Sequence, residues 1–182
     1  MPKFKKTIVV GKIREEEVCK SIQKRYPNAY VVEGYSKGFD IVIPETEQTV
    51  EVKQDYKSYY TGNFVVEIGF GGKDSGLLTT TADWWVFVDY EKCYWITPED
   101  LGDLVEELRI QPEKFVGTGD SVEKTAYLVK VNDLANSDSC FIRKREGELK
   151  SEEAYKKIWK EMGSPKEFTI DDMKWIDKNI VP

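Results

Sequence analysis

The chain has 182 residues, enough for one domain with a sizeable core, and its 40% apolar and 13% aromatic content is that of a folded protein. A net charge of -6 excludes a uniformly basic nucleic-acid coat, and the complete lack of histidine excludes Ser-His-Asp and Cys-His catalysis as well as histidine-bound zinc or iron. Cys19, Cys93 and Cys140 are odd in number and far apart, and no apolar run reaches the roughly 20 residues that span a bilayer, so the reading is a reduced, cytoplasmic protein with no membrane contact.

The N-terminal "MPKFKKTIVVGKIREEE" reads as lacking a signal peptide, because charges resume after a short apolar stretch and no small-residue cleavage site follows. Residues 1–25 hold eight lysines and arginines against three glutamates, 8 - 3 = +5, a locally basic stretch in an acidic whole. From Gly11 to Arg25 the pattern is helical and is broken at "YPNA". Val18, Cys19, Ile22 and Tyr26 fall on one stripe with Glu15 in its middle, whereas Glu16 and Glu17 are expected to point away. A carboxylate on the core side of a helix needs a partner.

Next come a short strand, "AYVVEGY", and two runs around a turn, "SKGFDIVI" and "QTVEVKQDY", expected to pair as a hairpin. "NFVVEIGF" is a further strand. "GGKDSGLLTTTAD" reads as a glycine-rich loop leading to a short helical turn, and it satisfies neither G-x-x-x-x-G-K-[ST] nor G-x-G-x-x-G. "WWVFVDY" and "CYWIT" form another hairpin. "TPEDLGDLVEEL" starts a helix with Thr97 as N-cap and Pro98 in the first turn, and "KTAYLVKVNDL" is a late strand. Two helices at about 151–162 and 169–180 follow. The order predicts an α/β or α+β fold around a central mixed sheet flanked by helices, with residues 1–150 as the main domain and 151–182 as a C-terminal helical extension.

In "TVEVK" the period of two sends Val50 and Val52 to the core and leaves Glu51 and Lys53 facing a groove or solvent. In "GFDIVI", Phe39, Ile41 and Ile43 share a face, with Asp40 and Val42 opposite. Paired as a hairpin, the two runs bring Asp40 and Glu51 towards one end of the sheet. Adjacent carboxylates repel, and a hard divalent ion such as Mg²⁺, with Mn²⁺ as substitute, compensates them through oxygen ligands. Glu15 is the third carboxylate within reach. Lys53 is placed to orient or help deprotonate a water, or to neutralise charge building on a phosphate, a set suited to phosphodiester hydrolysis. The competing reading of Glu51–Lys53 is a plain cross-strand or surface ion pair.

Lys57, Lys73, Ser75 and Thr79 are the candidate nucleic-acid contacts. Lys57 stands among Tyr56, Tyr59 and Tyr60, an aromatic-basic mixture suited to a sugar-phosphate wall, and the other three line the glycine-rich loop, which is read as mobile. Trp84, Trp85 and Trp95 read as core residues rather than stacking platforms.

Glu15 in "GKIRE", Asp40 in "GFD" and Glu51 with Lys53 in "EVK" resemble the PD-(D/E)XK nuclease superfamily, over about residues 11–100. "SGLLTTTADWWVFVD" looks like the crossover helix and following strand of its phage-type and resolvase-like members. The resemblance implies a restriction-endonuclease-like core, Mg²⁺ held by Asp40, Glu51 and Glu15, water positioned by Lys53, and DNA as the substrate. Phe39 stands in place of the motif's proline, and no Q-x-x-x-Y signature follows the E-x-K, so an endonuclease is expected rather than an end-resecting enzyme. The alternatives are a non-catalytic nucleic-acid-binding or assembly module on the same fold, or an interaction domain anchored by Trp159 and Trp175. A homodimer is left open.

Overall fold

Helix α1 (Lys3–Gln23) begins eight residues before the expected start, running through the β-branched Ile8–Val10 and through Gly11, which local propensity disfavours. The computed structural model describes residues 3–34, 38–55, 57–89, 91–117 and 121–145, apart from the side chains of residues 3–10, 59 and 60. The extension at 151–182, with its two expected helices and Trp159 and Trp175, lies outside the described residues, as do Tyr56 and the side chains of Tyr59 and Tyr60.

After α1 come β1 (Tyr30–Val31), β2 (Ile41–Ile43), β3 (Gln48–Gln54), α2 (Ser58–Thr61), β4 (Asn63–Phe70), β5 (Lys73–Asp74) and a 3₁₀ turn at Gly76–Leu78. Then follow β6 (Trp84–Val88), β7 (Lys92–Ile96), α3 (Pro98–Glu107), β8 (Glu113–Val116), β9 (Glu123–Lys130), α4 (Val131–Ala135) and β10 (Phe141–Lys144). The expected mixed sheet is present, in the order β1-β2-β3-β6-β7-β10, with β3 and β6 parallel and the other neighbours antiparallel. Both predicted hairpins occur, β2–β3 and β6–β7.

The crossover from β3 to β6 departs from expectation. At the place of the expected crossover helix, before β6, it holds only the three-residue 3₁₀ turn; the four-residue α2 lies earlier, and β4 and β5 leave to build a second, antiparallel sheet in the order β5-β4-β9-β8. The chain is redirected at Asp55, whose carboxylate accepts from the N–H of Ser58 (3.2 Å) and of Val65 (3.1 Å), while Ser58 Oγ donates to its carbonyl at 2.6 Å. Burial raises the Asp55 carboxyl above its ordinary range, although the two N–H donors and the nearby Lys57 oppose that.

The mixed sheet is apolar on both faces. On one side Val18, Cys19 and Ile22 of α1 pack on Ile41, Ile43, Val50, Val86 and Val88. On the other, Trp85, Phe87, Tyr94 and Ile96 meet Phe64, Val66 and Val129 of the second sheet, Leu101, Leu104 and Val105 of α3, and Leu134 of α4. Each fully buried side chain of this size contributes roughly 1.5–3 kcal/mol. Helix α3 starts as read from the sequence, with Thr97 Oγ1 accepting from the N–H of Asp100 at 3.1 Å. Phe39 does not share the face of Ile41 and Ile43. It packs on the Trp85 side, because β2 starts only at Ile41 and Gly38, at φ 147°, turns the chain before strand alternation takes hold.

One further departure concerns α1. Glu17 does not point away: its side chain is 8% exposed, and it pairs with Arg14, which is fully buried, and with Arg145. Arg145, just past β10, donates from Nε to Glu17 Oε1 (2.7 Å), from Nη2 to Glu17 Oε2 (2.9 Å), and from Nη1 to the Asp89 carbonyl (3.2 Å). This fork ties the far edge of the sheet to the first helix.

Candidate active site

Asp40 stands where β2 begins. Its N–H donates to the Val50 carbonyl (2.8 Å), its carbonyl accepts from the Val32 N–H (2.8 Å), and its Oδ2 accepts from the Val52 N–H at 2.7 Å. The carboxylate thus fills a ladder position that the backbone of β2 vacates. The hairpin pairs Ile41 with Val50. The ladder ends there: Asp40 directs its N–H to the Val50 carbonyl and its carboxylate to the Val52 N–H, and Glu51, between those two residues, is near enough for its charge to act on Asp40.

Glu51 and Lys53 lie on the face of β3 opposite Val50, as alternation predicts. Lys53 Nζ donates to Glu51 Oε1 at 2.5 Å, with the lysine side chain 33% and the glutamate 18% exposed. The competing ion-pair reading is therefore present as geometry. It neutralises one carboxylate of the group and leaves the others.

Glu15, half-buried on α1, is near enough for Asp40 and Glu51 to act on it. Burial first, then those two charges, push its carboxyl up to about 7, with Lys12 opposing. Asp40 is pushed up to about 6 by burial and then Glu51, against the Val52 N–H and Lys53. The structure so brings Glu15, Asp40, Glu51 and Lys53 into one electrostatic group. It does not assemble the expected three-carboxylate ligand set: among the described residues, no three His, Cys, Asp or Glu side chains are grouped closely enough to hold a metal ion. Asp40 and Glu51 remain as a neighbouring pair of oxygen donors, and Mg²⁺ is commonly held by one or two carboxylates with water and phosphate oxygens completing the shell.

The four expected nucleic-acid contacts are spread out. Lys57 is half-buried at the start of α2, close enough to Asp55 to act on its charge. Lys73 is exposed on β5, an edge of the second sheet. Ser75 does not cap the 3₁₀ turn, because its Oγ donates to Glu67 Oε1 at 2.8 Å. Thr79 is exposed, and its Oγ1 makes a 3.5 Å contact with the Gly76 carbonyl. None of Lys73, Ser75 and Thr79 has a hydrogen bond or ion pair to the carboxylate group.

The loop that carries them is pinned along its length. The Ser75 N–H donates to the Ile68 carbonyl (3.1 Å), and a Cβ on Gly76, at φ 53°, would lie 2.1 Å from the Glu67 carbonyl oxygen. Further on, Asp83 Oδ2 accepts from Thr49 N (2.7 Å) and Oγ1 (2.9 Å), which aligns the starts of β3 and β6. Sequence pattern does not mark Thr80, Thr81 or Asp83 as site residues, and it reads Trp85 as core. Their one visible signal is the threonine run before an aromatic strand, which favours side-chain-to-backbone turns.

No family model matches the chain, and neither a curated protein nor a solved structure matches it. No helix among the described residues is long and apolar enough to cross a membrane.

Proposed function

We propose that this protein is a divalent-cation-dependent nuclease of the PD-(D/E)XK type, with a restriction-endonuclease-like core, that hydrolyses phosphodiester bonds of DNA internally. The observation that carries the reading is the Asp40 carboxylate, held by the Val52 N–H of β3 and near enough to Glu51 for the two charges to act on each other, with Lys53 hydrogen-bonded to Glu51. The element order supports it as well: a glutamate-bearing helix, the hairpin, a crossover, and a strand parallel to the one that carries E-x-K.

Asp40 and Glu51 would hold Mg²⁺, which supplies Lewis acidity and lowers the pKa of a coordinated water. Asp40 serves as a rigid ligand, since three hydrogen bonds through its backbone and side chain leave it little freedom. Lys53 holds its ammonium beside Glu51, where it binds a phosphate oxygen and orients the attacking water. Glu15, the third carboxylate beside them, would accept a proton from the attacking water.

The test is cleavage of duplex, single-stranded and branched DNA and of RNA with Mg²⁺ or Mn²⁺, and with EDTA as control. Asp40→Ala and Lys53→Ala are each expected to lower the rate by about 10²–10³-fold or more while circular dichroism stays native. Full activity in either variant would sink the mechanism. A wild-type protein that cuts none of the panel but binds it would be a non-catalytic nucleic-acid module.

A further inference from the structure

We propose that Trp85 and Thr80 are positioning residues for Lys53, a role that rests on the nuclease reading for its consequence but not for its geometry. Trp85 is 1% exposed and cannot stack on a substrate. It nonetheless lies beside Glu51 in the parallel β3–β6 register, on the face that carries Lys53. The Lys53 ammonium sits 4.9 Å from the centroid of its ring, within range of a cation–π interaction with the negative ring face.

A lysine side chain has four flexible torsions and correspondingly large rotamer entropy to lose. The hydrogen bond to Glu51 alone would leave the ammonium pivoting about one oxygen. The ring face supplies a second point. It matters most when a divalent cation draws on the oxygens of Glu51, because an indole competes for no metal and keeps its hold on the ammonium.

The ring is itself held. Its Nε1–H donates to Thr80 Oγ1 at 3.0 Å, and the same oxygen accepts from the Ala82 N–H at 3.2 Å. Phe87 abuts the indole edge-on, with centroids 5.9 Å apart at 67°. The neighbouring Thr81 packs so closely on Gly38 that a Cβ there would lie 2.5 Å from Thr81 Oγ1. The segment before β6 therefore touches both arms of the site, the lysine arm through Thr80 and Trp85, and the start of the Asp40 arm through Gly38.

The experiment combines NMR of the Lys53 ε-methylene protons with steady-state cleavage kinetics, on wild type, Trp85→Leu and Thr80→Val. The Lys53 signal is assigned by its loss in Lys53→Arg. It is expected upfield of the other lysines through the indole ring current, to return to their range in Trp85→Leu, and to shift part of the way in Thr80→Val. In both variants kcat is expected to fall about fivefold with KM unchanged.

Thr80→Val keeps the ring and the volume, so it decides the matter even where Trp85→Leu does not fold. A Lys53 signal that is not displaced in wild type, or that stays put in Thr80→Val, overturns the proposal, as does a rise in KM at constant kcat. Should wild type not cleave, the nuclease reading falls and the NMR arm alone decides whether Trp85 and Thr80 place the lysine.

Discussion

Helix α1 serves two charged clusters from neighbouring residues, and they are built on opposite terms. Arg14 and Glu17 join Arg145 in a nearly dry cluster, two guanidiniums sharing one carboxylate, with the Asp89 carbonyl taking a further N–H. Glu15, about 100° and 200° around the helix from those two residues, joins Asp40 and Glu51, where three carboxylates have only Lys53 and Lys12 to oppose them. The first cluster is made of hydrogen-bonded opposite charges and ties β10 to α1. The second keeps an excess of negative charge that burial makes costly, and that raises the carboxyls of Glu15 and Asp40. Charge that pairs internally belongs to the architecture. Charge left over on rigid backbone is open to a cation.

The widest effect expected from breaking this contrast is at Glu17. Glu17→Ala removes the carboxylate that two buried guanidiniums share and should cost about 3–5 kcal/mol in urea unfolding. A loss below about 1 kcal/mol would mean that the cluster is solvated.

Next in size is the response to a divalent cation. Mg²⁺ at a hundred times its Kd should stabilise the wild type by about 2.7 kcal/mol, read as a higher urea midpoint, and should do nothing for Asp40→Ala or Glu51→Ala. Equal stabilisation of all three proteins would place the cation elsewhere.

The smallest effect is on pH dependence without added cation. The folded carboxyls of Glu15 and Asp40 lie at about 7 and about 6, above their ordinary 4.5 and 3.8. Between those limits the folded state holds more protons than the unfolded one, so stability falls as pH rises from about 4 to about 7. Solvent screening of the half-buried Glu15 keeps its share of the fall to about 1 kcal/mol. Glu15→Gln should flatten the profile, and an unchanged slope in urea titrations at pH 5 and pH 8 would remove Glu15 from the group.

Much of the local structure could be read from the chain alone, because it depends on neighbours in sequence. Alternation placed Val50 inward and Glu51 with Lys53 on the other face, and Thr97 marked the start of α3. The candidate site was legible for the same reason: Glu51 and Lys53 share a strand face by period two, and the β2–β3 hairpin brings Asp40 near Glu51. Helical phase singled out Glu15.

Only tertiary structure decided the rest. Nothing near residue 17 announces Arg145, 128 positions away, so a glutamate opposite the apolar stripe reads as solvated although it is buried. Local pattern makes "NFVVEIGF" a strand but cannot choose its partners, and the turn at Asp55 sends it to a second sheet. Phe39 changes face because Gly38 turns the chain before β2 begins. Trp85 is core by composition, yet its ring backs Lys53 only because β3 and β6 lie side by side. Short-range periodicity determines which way a side chain faces. What it meets there is set by the packing of distant segments.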